Sequence, residues 1–160
     1  MTYRIIKGDA TCPLAAAPVI IPHITNDMGA WGAGFVISLS KRWPKPEQQY
    51  RTWFKEKTTK RGIAFELGEV GFVQAEPTIL VANMIAQSGT GSTNNRAPIR
   101  YGALASCMIK VLHTAQHFKA EVHAPRFGAG LAGGNWETIE ALIQEIWVDN
   151  ELDVVIYEYP

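Results

Sequence analysis

The feature that most restricts the fold is residues 125–136, Pro-Arg-Phe-Gly-Ala-Gly-Leu-Ala-Gly-Gly-Asn-Trp. This stretch holds four glycines between a short extended run, Glu-Val-His-Ala at 121–124, and a helix-period pattern. In that pattern Trp136, Ile139, Leu142, Ile143, Ile146 and Trp147 share one face. Glycine permits positive φ and lets a ligand come close to the backbone. Asn135 stands where a helix takes its N-cap, with Glu137 in the first turn. The unbonded N–H groups and positive dipole end of such a helix start favour an anion. Two readings are open at this point: a loop that grips phosphate, or a glycine-rich turn that only reverses the chain.

A second stretch of the same kind tips the balance. Residues 22–35 read Pro-His-Ile-Thr-Asn-Asp-Met-Gly-Ala-Trp-Gly-Ala-Gly-Phe, after the apolar run Val19, Ile20, Ile21 and before another helical pattern. Two such loops at strand ends suit a ligand with two phosphates, held from both sides. Neither loop ends in the Gly-Lys-Ser/Thr of a nucleoside-triphosphate site, and neither completes a dinucleotide fingerprint.

The remaining elements follow from periodicity and punctuation. Strands are expected at 3–6, 18–23, 64–74, 78–87, 121–124 and 153–157, with 64–87 forming a hairpin. Helices are expected at 32–42, ending before Pro44, from Pro46 onward, at 100–118, and after Asn135. Residues 88–98 are expected to form a mobile polar loop near the site. Strands at both ends with helices interleaved imply an α/β protein: a three-layer α/β/α sandwich on a mixed central sheet. The 160 residues suit one domain, residues 1–160, with no linker or repeat.

Composition excludes some functions. Net formal charge is zero, which argues against non-specific nucleic-acid binding. The basic groups around residues 41–51 and 55–61 are expected to be solvated surface. No apolar run is long enough to span a bilayer. Two cysteines, Cys12 and Cys107, without a secretory signal imply a reducing, cytoplasmic setting, with Cys107 buried on a helix stripe. No metal-ligand spacing is present; His113 and His117, four apart on a helix, are expected to face solvent. Neither a metal nor a cofactor is expected.

Three stretches in order resemble the macrodomains, the ADP-ribose-binding modules. They are Gly8-Asp9-Ala10-Thr11, then His23-Ile24-Thr25-Asn26 leading into Trp31-Gly32-Ala33-Gly34-Phe35, then Pro125-Arg126-Phe127-Gly128-Ala129-Gly130-Leu131. The resemblance spans nearly the whole chain. It is nearest to the branch with ADP-ribose-1″-phosphate phosphatases and terminal ADP-ribose glycohydrolases.

That resemblance implies roles residue by residue. Asp9 would accept from the adenine amino group, with Ala10 beside it. Trp31, Gly32, Ala33 and Gly34 would lie along the distal ribose and diphosphate. Gly128, Ala129, Gly130 and Leu131 would hold the diphosphate through N–H groups. Asn26 would bond the distal ribose hydroxyls. Tyr157 would pack on adenine, or else be a core tyrosine of an edge strand. The terminal glycohydrolases carry a lysine and an aspartate where this chain has Gln87 and Ala132, so a covalent lysyl route is closed. The catalytic candidates are His23, Asn26 and Asp27, with His23 as acid/base or loop-orienting residue. The function implied is hydrolysis of ADP-ribose-1″-phosphate to ADP-ribose and phosphate. The alternatives are a non-catalytic ADP-ribose reader, or a hydrolase removing ADP-ribose from protein or nucleic acid. The partner would be ADP-ribose or a derivative, and the chain a monomer.

Overall fold

The computed structural model describes residues 2–91 and 96–159. Six strands form one sheet: β1 (Tyr3–Lys7), β2 (Val19–Asn26), β3 (Val70–Glu76), β4 (Ile79–Gln87), β5 (Glu121–Pro125) and β6 (Val154–Glu158). Their spatial order is β1-β6-β5-β2-β4-β3. Every pairing is parallel except the β3–β4 hairpin at one edge. The mixed sheet expected from the sequence is therefore present, with the hairpin as its antiparallel part.

Strand alternation feeds two cores. On one face Ile20, Met84, Val122, Ala124, Val154 and Ile156 pack under α3 (Tyr101–Phe118) and α4 (Trp136–Leu142). The apolar stripe of α3, Leu104, Cys107, Met108, Val111, Leu112 and Ala115, is wholly buried there. On the other face Val19, Ile21, Ile79 and Val81 meet α1 (Phe35–Arg42) and α2 (Lys45–Glu56) through Val36, Leu39 and Tyr50. The result is the three-layer sandwich.

Some boundaries differ from the sequence expectation. The strand expected from residue 64 starts at Val70. Gly68 adopts φ +93° and gives its N–H to the Ile85 carbonyl, and Glu69 turns back on Glu66, so the chain bends sharply where it first meets β4 and the regular ladder begins only at Val70. Phe65 instead packs among the rings of Tyr50, Trp53 and Phe54. The first helix begins at Phe35, because Gly34 at φ +83° cannot continue it backward. Strand β2 runs on to Asn26, with its register shifting at Thr25/Asn26. After α4 the chain continues through a widened turn, Ile143–Trp147, and a tight one, Val148–Asn150. Of the loop expected at 88–98, residues 92–95 lie outside the described residues. No helix is long and apolar enough to cross a membrane among the described residues.

Candidate functional site

Strands β2 and β5 are neighbours in the sheet but pair only at Val19–Glu121 and Ile20–Val122, and the two glycine loops leave from their carboxyl ends, which do not pair with each other. Ligands of open α/β sheets bind in the crevice beyond such ends. A cleft of about 590 Å³ opens there. It is lined from one loop by Asn26, Ala30, Gly32, Ala33, Gly34, Phe35 and Val36. Residues 125–128 and 130–132 line it from the other. The loops approach closely: a Cβ on Gly34 would stand 3.3 Å from the Leu131 side chain.

The backbone of both loops is held in shape while leaving donors unused. Around the second loop Gly134 N–H donates to the Gly128 carbonyl at 2.7 Å and Gly133 N–H to Gly130 at 3.0 Å. Gly128 sits at φ +83°, pressed against Ile139, Ile99 and Ile24. The N–H groups of residues 32–36 and 128–131 donate to no acceptor among the described residues. Residues 32–34, 130 and 131 are exposed, so these donors are open to the acceptor atoms of a ligand.

The helix start that faces the cleft is not the one the sequence suggested. The α4 start is already capped, since Asn135 Oδ1 accepts from Thr138 N–H at 3.1 Å, and neither Asn135 nor Trp136 lines the cleft. The α1 start has no side-chain cap, and its Gly34, Phe35 and Val36 do line it. The dipole argument thus transfers from α4 to α1.

His23 lines the cleft from β2 and is 1% exposed. Its Nε2 lies 2.5 Å from Asn83 Oδ1, and Trp31 and Phe35 flank the ring. Its Nδ1 is buried and has no hydrogen-bond partner. Burial lowers its pKa to about 4, so the imidazole is neutral at pH 7.

Other sequence candidates fall differently. Asn26 lines the cleft, yet its Oδ1 accepts from Met28 N–H, Ala30 N–H and Tyr50 O–H, and its Nδ2 donates to the Ala30 carbonyl. It shapes the loop before it can meet a ligand. Asp27 does not line the cleft, because Oδ1 accepts from Gly89 N–H at 2.8 Å and ties the two strand-end loops together. Trp31 is a correction too: it is 5% exposed, its indole N–H goes to Ser40 Oγ, and its ring supports His23 from behind. Ala129 lies outside the lining.

Of the two readings of Tyr157, its burial agrees with the core tyrosine, on an inner strand rather than an edge. It is 3% exposed and lies on β6. Its hydroxyl accepts from Leu14 N–H at 3.0 Å and pairs with His123 Nδ1 at 2.7 Å, so its ring is not offered to a ligand. Asp9 Oδ1 accepts from the N–H and hydroxyl of Thr11. Ala10 is buried with Val155 and Tyr157, and Phe35 packs on that cluster from the cleft wall. Ala10 therefore packs against Phe35, and neither Asp9 nor Ala10 is part of the cleft lining.

The residue the sequence quoted without assigning is Arg126. It is the one cationic side chain lining the cleft among the described residues. It lies over the Trp136 ring at 5.0 Å and 3.8 Å from Glu158. A cation beside an anion-ready loop was the available signal. Gln87 and Thr90 complete the polar lining from the end of β4. No group of His, Cys, Asp and Glu able to hold a metal occurs among the described residues.

No family model matches the sequence. The chain is similar to a protein of unknown function from Bacteroides thetaiotaomicron, 44% identical, with TM-score 0.94 over 99% of this chain and 98% of that one. It is 25% identical to the ADP-ribose 1″-phosphate phosphatase of Candida albicans, over 88% of this chain and 90% of that protein. It is also 40% identical to a macrodomain protein from Streptomyces coelicolor, with TM-score 0.84 over 98% of each chain. With the strand order, the two facing glycine loops and this last likeness, the chain belongs to the macrodomain family.

Proposed function

We propose that the cleft binds ADP-ribose and that the protein hydrolyses ADP-ribose-1″-phosphate to ADP-ribose and phosphate. The observation that carries this reading is the pair of loops, residues 32–36 and Gly128, Gly130 and Leu131, whose N–H groups have no acceptor among the described residues and which meet across one cleft. A diphosphate supplies acceptors for both rows at once, with Arg126 as a neighbouring cation. The Candida relative's name supports a phosphorylated ADP-ribose as substrate.

Hydrolysis needs water to attack phosphorus, the P–O bond to the ribose to break, and the leaving oxygen to gain a proton. Preorganised N–H donors stabilise the charge on the phosphoryl oxygens. In this scheme neutral His23, which lines the cleft, accepts the proton of the attacking water once the Trp31 and Phe35 wall shifts to open its buried Nδ1 to the cleft. A nearby phosphate raises the proton affinity of that nitrogen, which offsets the effect of burial.

A second reading, a non-catalytic ADP-ribose module, draws support from Asn26 and Asp27, whose side chains are committed to loop structure. Calorimetric titration with ADP-ribose, then phosphate release from ADP-ribose-1″-phosphate, separates the two. Binding with phosphate release that His23→Ala abolishes is the expected result. Binding without release leaves the reader. No binding of ADP-ribose sinks both.

A further inference from the structure

A buried polar chain runs from His23 away from the cleft, and the macrodomain motifs do not account for it. Asn83 on β4 is 0% exposed and is the cross-strand register partner of His23. Its Nδ2 donates to the Pro46 carbonyl at 3.1 Å and to Gln49 Oε1 at 2.9 Å, both on α2. The Gln49 amide lies over Gly71 of β3, where a Cβ would come within 2.5 Å of it.

We propose that Asn83, oriented by the Pro46 carbonyl and Gln49, is a positioning residue that decides which nitrogen of His23 carries the proton. The argument starts from the one group that cannot rotate. A backbone carbonyl only accepts, so the side of Asn83 facing Pro46 is its NH2 group. Gln49 Oε1 takes the second hydrogen of that group. The Asn83 carbonyl oxygen is thereby turned toward His23 Nε2. An amide oxygen only accepts, so Nε2 carries a hydrogen. A neutral imidazole has one N–H, and the remaining nitrogen, Nδ1, is a bare lone pair. Reversing Asn83 would set its carbonyl against those of Pro46 and Gln49 and its NH2 against His23. The tautomer is thus written by α2, and it leaves the lone pair on the buried Nδ1. Gly71 belongs to the same device, because a Cβ there would displace the Gln49 amide from this position.

The value of this tautomer to catalysis rests on the reading of His23 as proton acceptor, but its existence does not, and it is measured without ligand. Protein labelled with 15N at histidine is examined at pH 7 by long-range 1H–15N correlation of the imidazole ring, which distinguishes the two neutral tautomers. The expected result is His23 as a single Nε2–H tautomer. An Nδ1–H tautomer, or an average of the two, overturns the proposal. In Asn83→Leu, of similar size without the acceptor, the single-tautomer signature is expected to be lost; a folded variant that keeps it unchanged also overturns the proposal. If that variant does not fold, the wild-type spectrum still decides. Nε2–H in a protein that fails to bind ADP-ribose would leave the relay standing and remove the proposed function. In a protein that does release phosphate, Asn83→Leu is expected to lower turnover roughly tenfold or more while ADP-ribose binding persists.

Discussion

Two glycines of the same loop separate structure from recognition, and the contrast is quantitative. Gly128 holds φ +83°, and a Cβ there would stand 2.6 Å from Ile139 Cδ1, 3.0 Å from Ile99 Cδ1 and 3.2 Å from Ile24 Cδ1. A left-handed conformation costs an L-residue about 1–2 kcal/mol. Forcing a methyl into a packed core adds about 1–3 kcal/mol. Gly128→Ala is therefore expected to destabilise by about 2–5 kcal/mol, which lowers Tm by roughly 5–15 °C for a chain of this size. Gly130 has no atom within 4 Å of an added Cβ and no positive φ. Gly130→Ala is expected to stay within about 0.5 kcal/mol of wild type, or to gain slightly from a stiffer unfolded chain. If a ligand backs onto this loop, the same methyl occupies its space, and ADP-ribose affinity is expected to fall about tenfold, or 1.4 kcal/mol. Thermal melts and calorimetry on the two variants test both statements. A Gly128→Ala protein that melts with wild type refutes the packing argument. Unchanged ADP-ribose affinity in Gly130→Ala refutes the close approach of ligand to backbone.

Other consequences follow from the hydrogen bonds and the buried imidazole. Asn26→Ala strands Met28 N–H and Ala30 N–H, while the Tyr50 hydroxyl keeps its bond to the main-chain carbonyl of residue 26, and is expected to cost about 2–4 kcal/mol in urea unfolding. His23 has a folded pKa of about 4, below the ordinary 6.5, so between those values the unfolded chain binds the extra proton. Stability is thus expected to rise with pH across that window, by roughly 3 kcal/mol in all, and to be lost on acidification; in His23→Leu that part of the slope should vanish. Asn135→Ala removes the α4 cap and is expected to cost about 1 kcal/mol in urea unfolding, with ADP-ribose affinity unchanged because α4 begins outside the cleft.

Much of the frame was legible because it depends on short-range periodicity. The buried stripe of α3, the strand β4 and the Asn135 cap all follow from spacing that a single element imposes on itself. The two loops could be recognised as partners because each repeats the same strand–glycine–helix order. What escaped depends on contacts across the chain. Nothing near Tyr157 in sequence indicates that Leu14 N–H caps its hydroxyl, and nothing near Trp31 indicates that Ser40 takes its indole N–H. The same is true of Asp27, which looked catalytic beside Asn26 and instead holds Gly89, distant in sequence. Polar residues in a glycine-rich loop have two employments, ligand contact and loop construction. Only the three-dimensional partners tell them apart.

The sheet order carries a consequence for how the chain assembles. Strand β6 lies between β1 and β5, although all five other strands precede it in sequence. Until β6 is in place, β1 has no neighbour to pair with, and the bonds between Thr2 and Asp153 close a loop of nearly the whole chain. A chain emerging from the ribosome can complete the hairpin β3–β4 and its pairing to β2 early, but must carry β1 unpaired until β6 has been made. Pairings so remote slow folding and leave an open strand available to a second nascent chain. Crowded synthesis is thus the stage at which this protein is most exposed to exchanging its first strand with a neighbour.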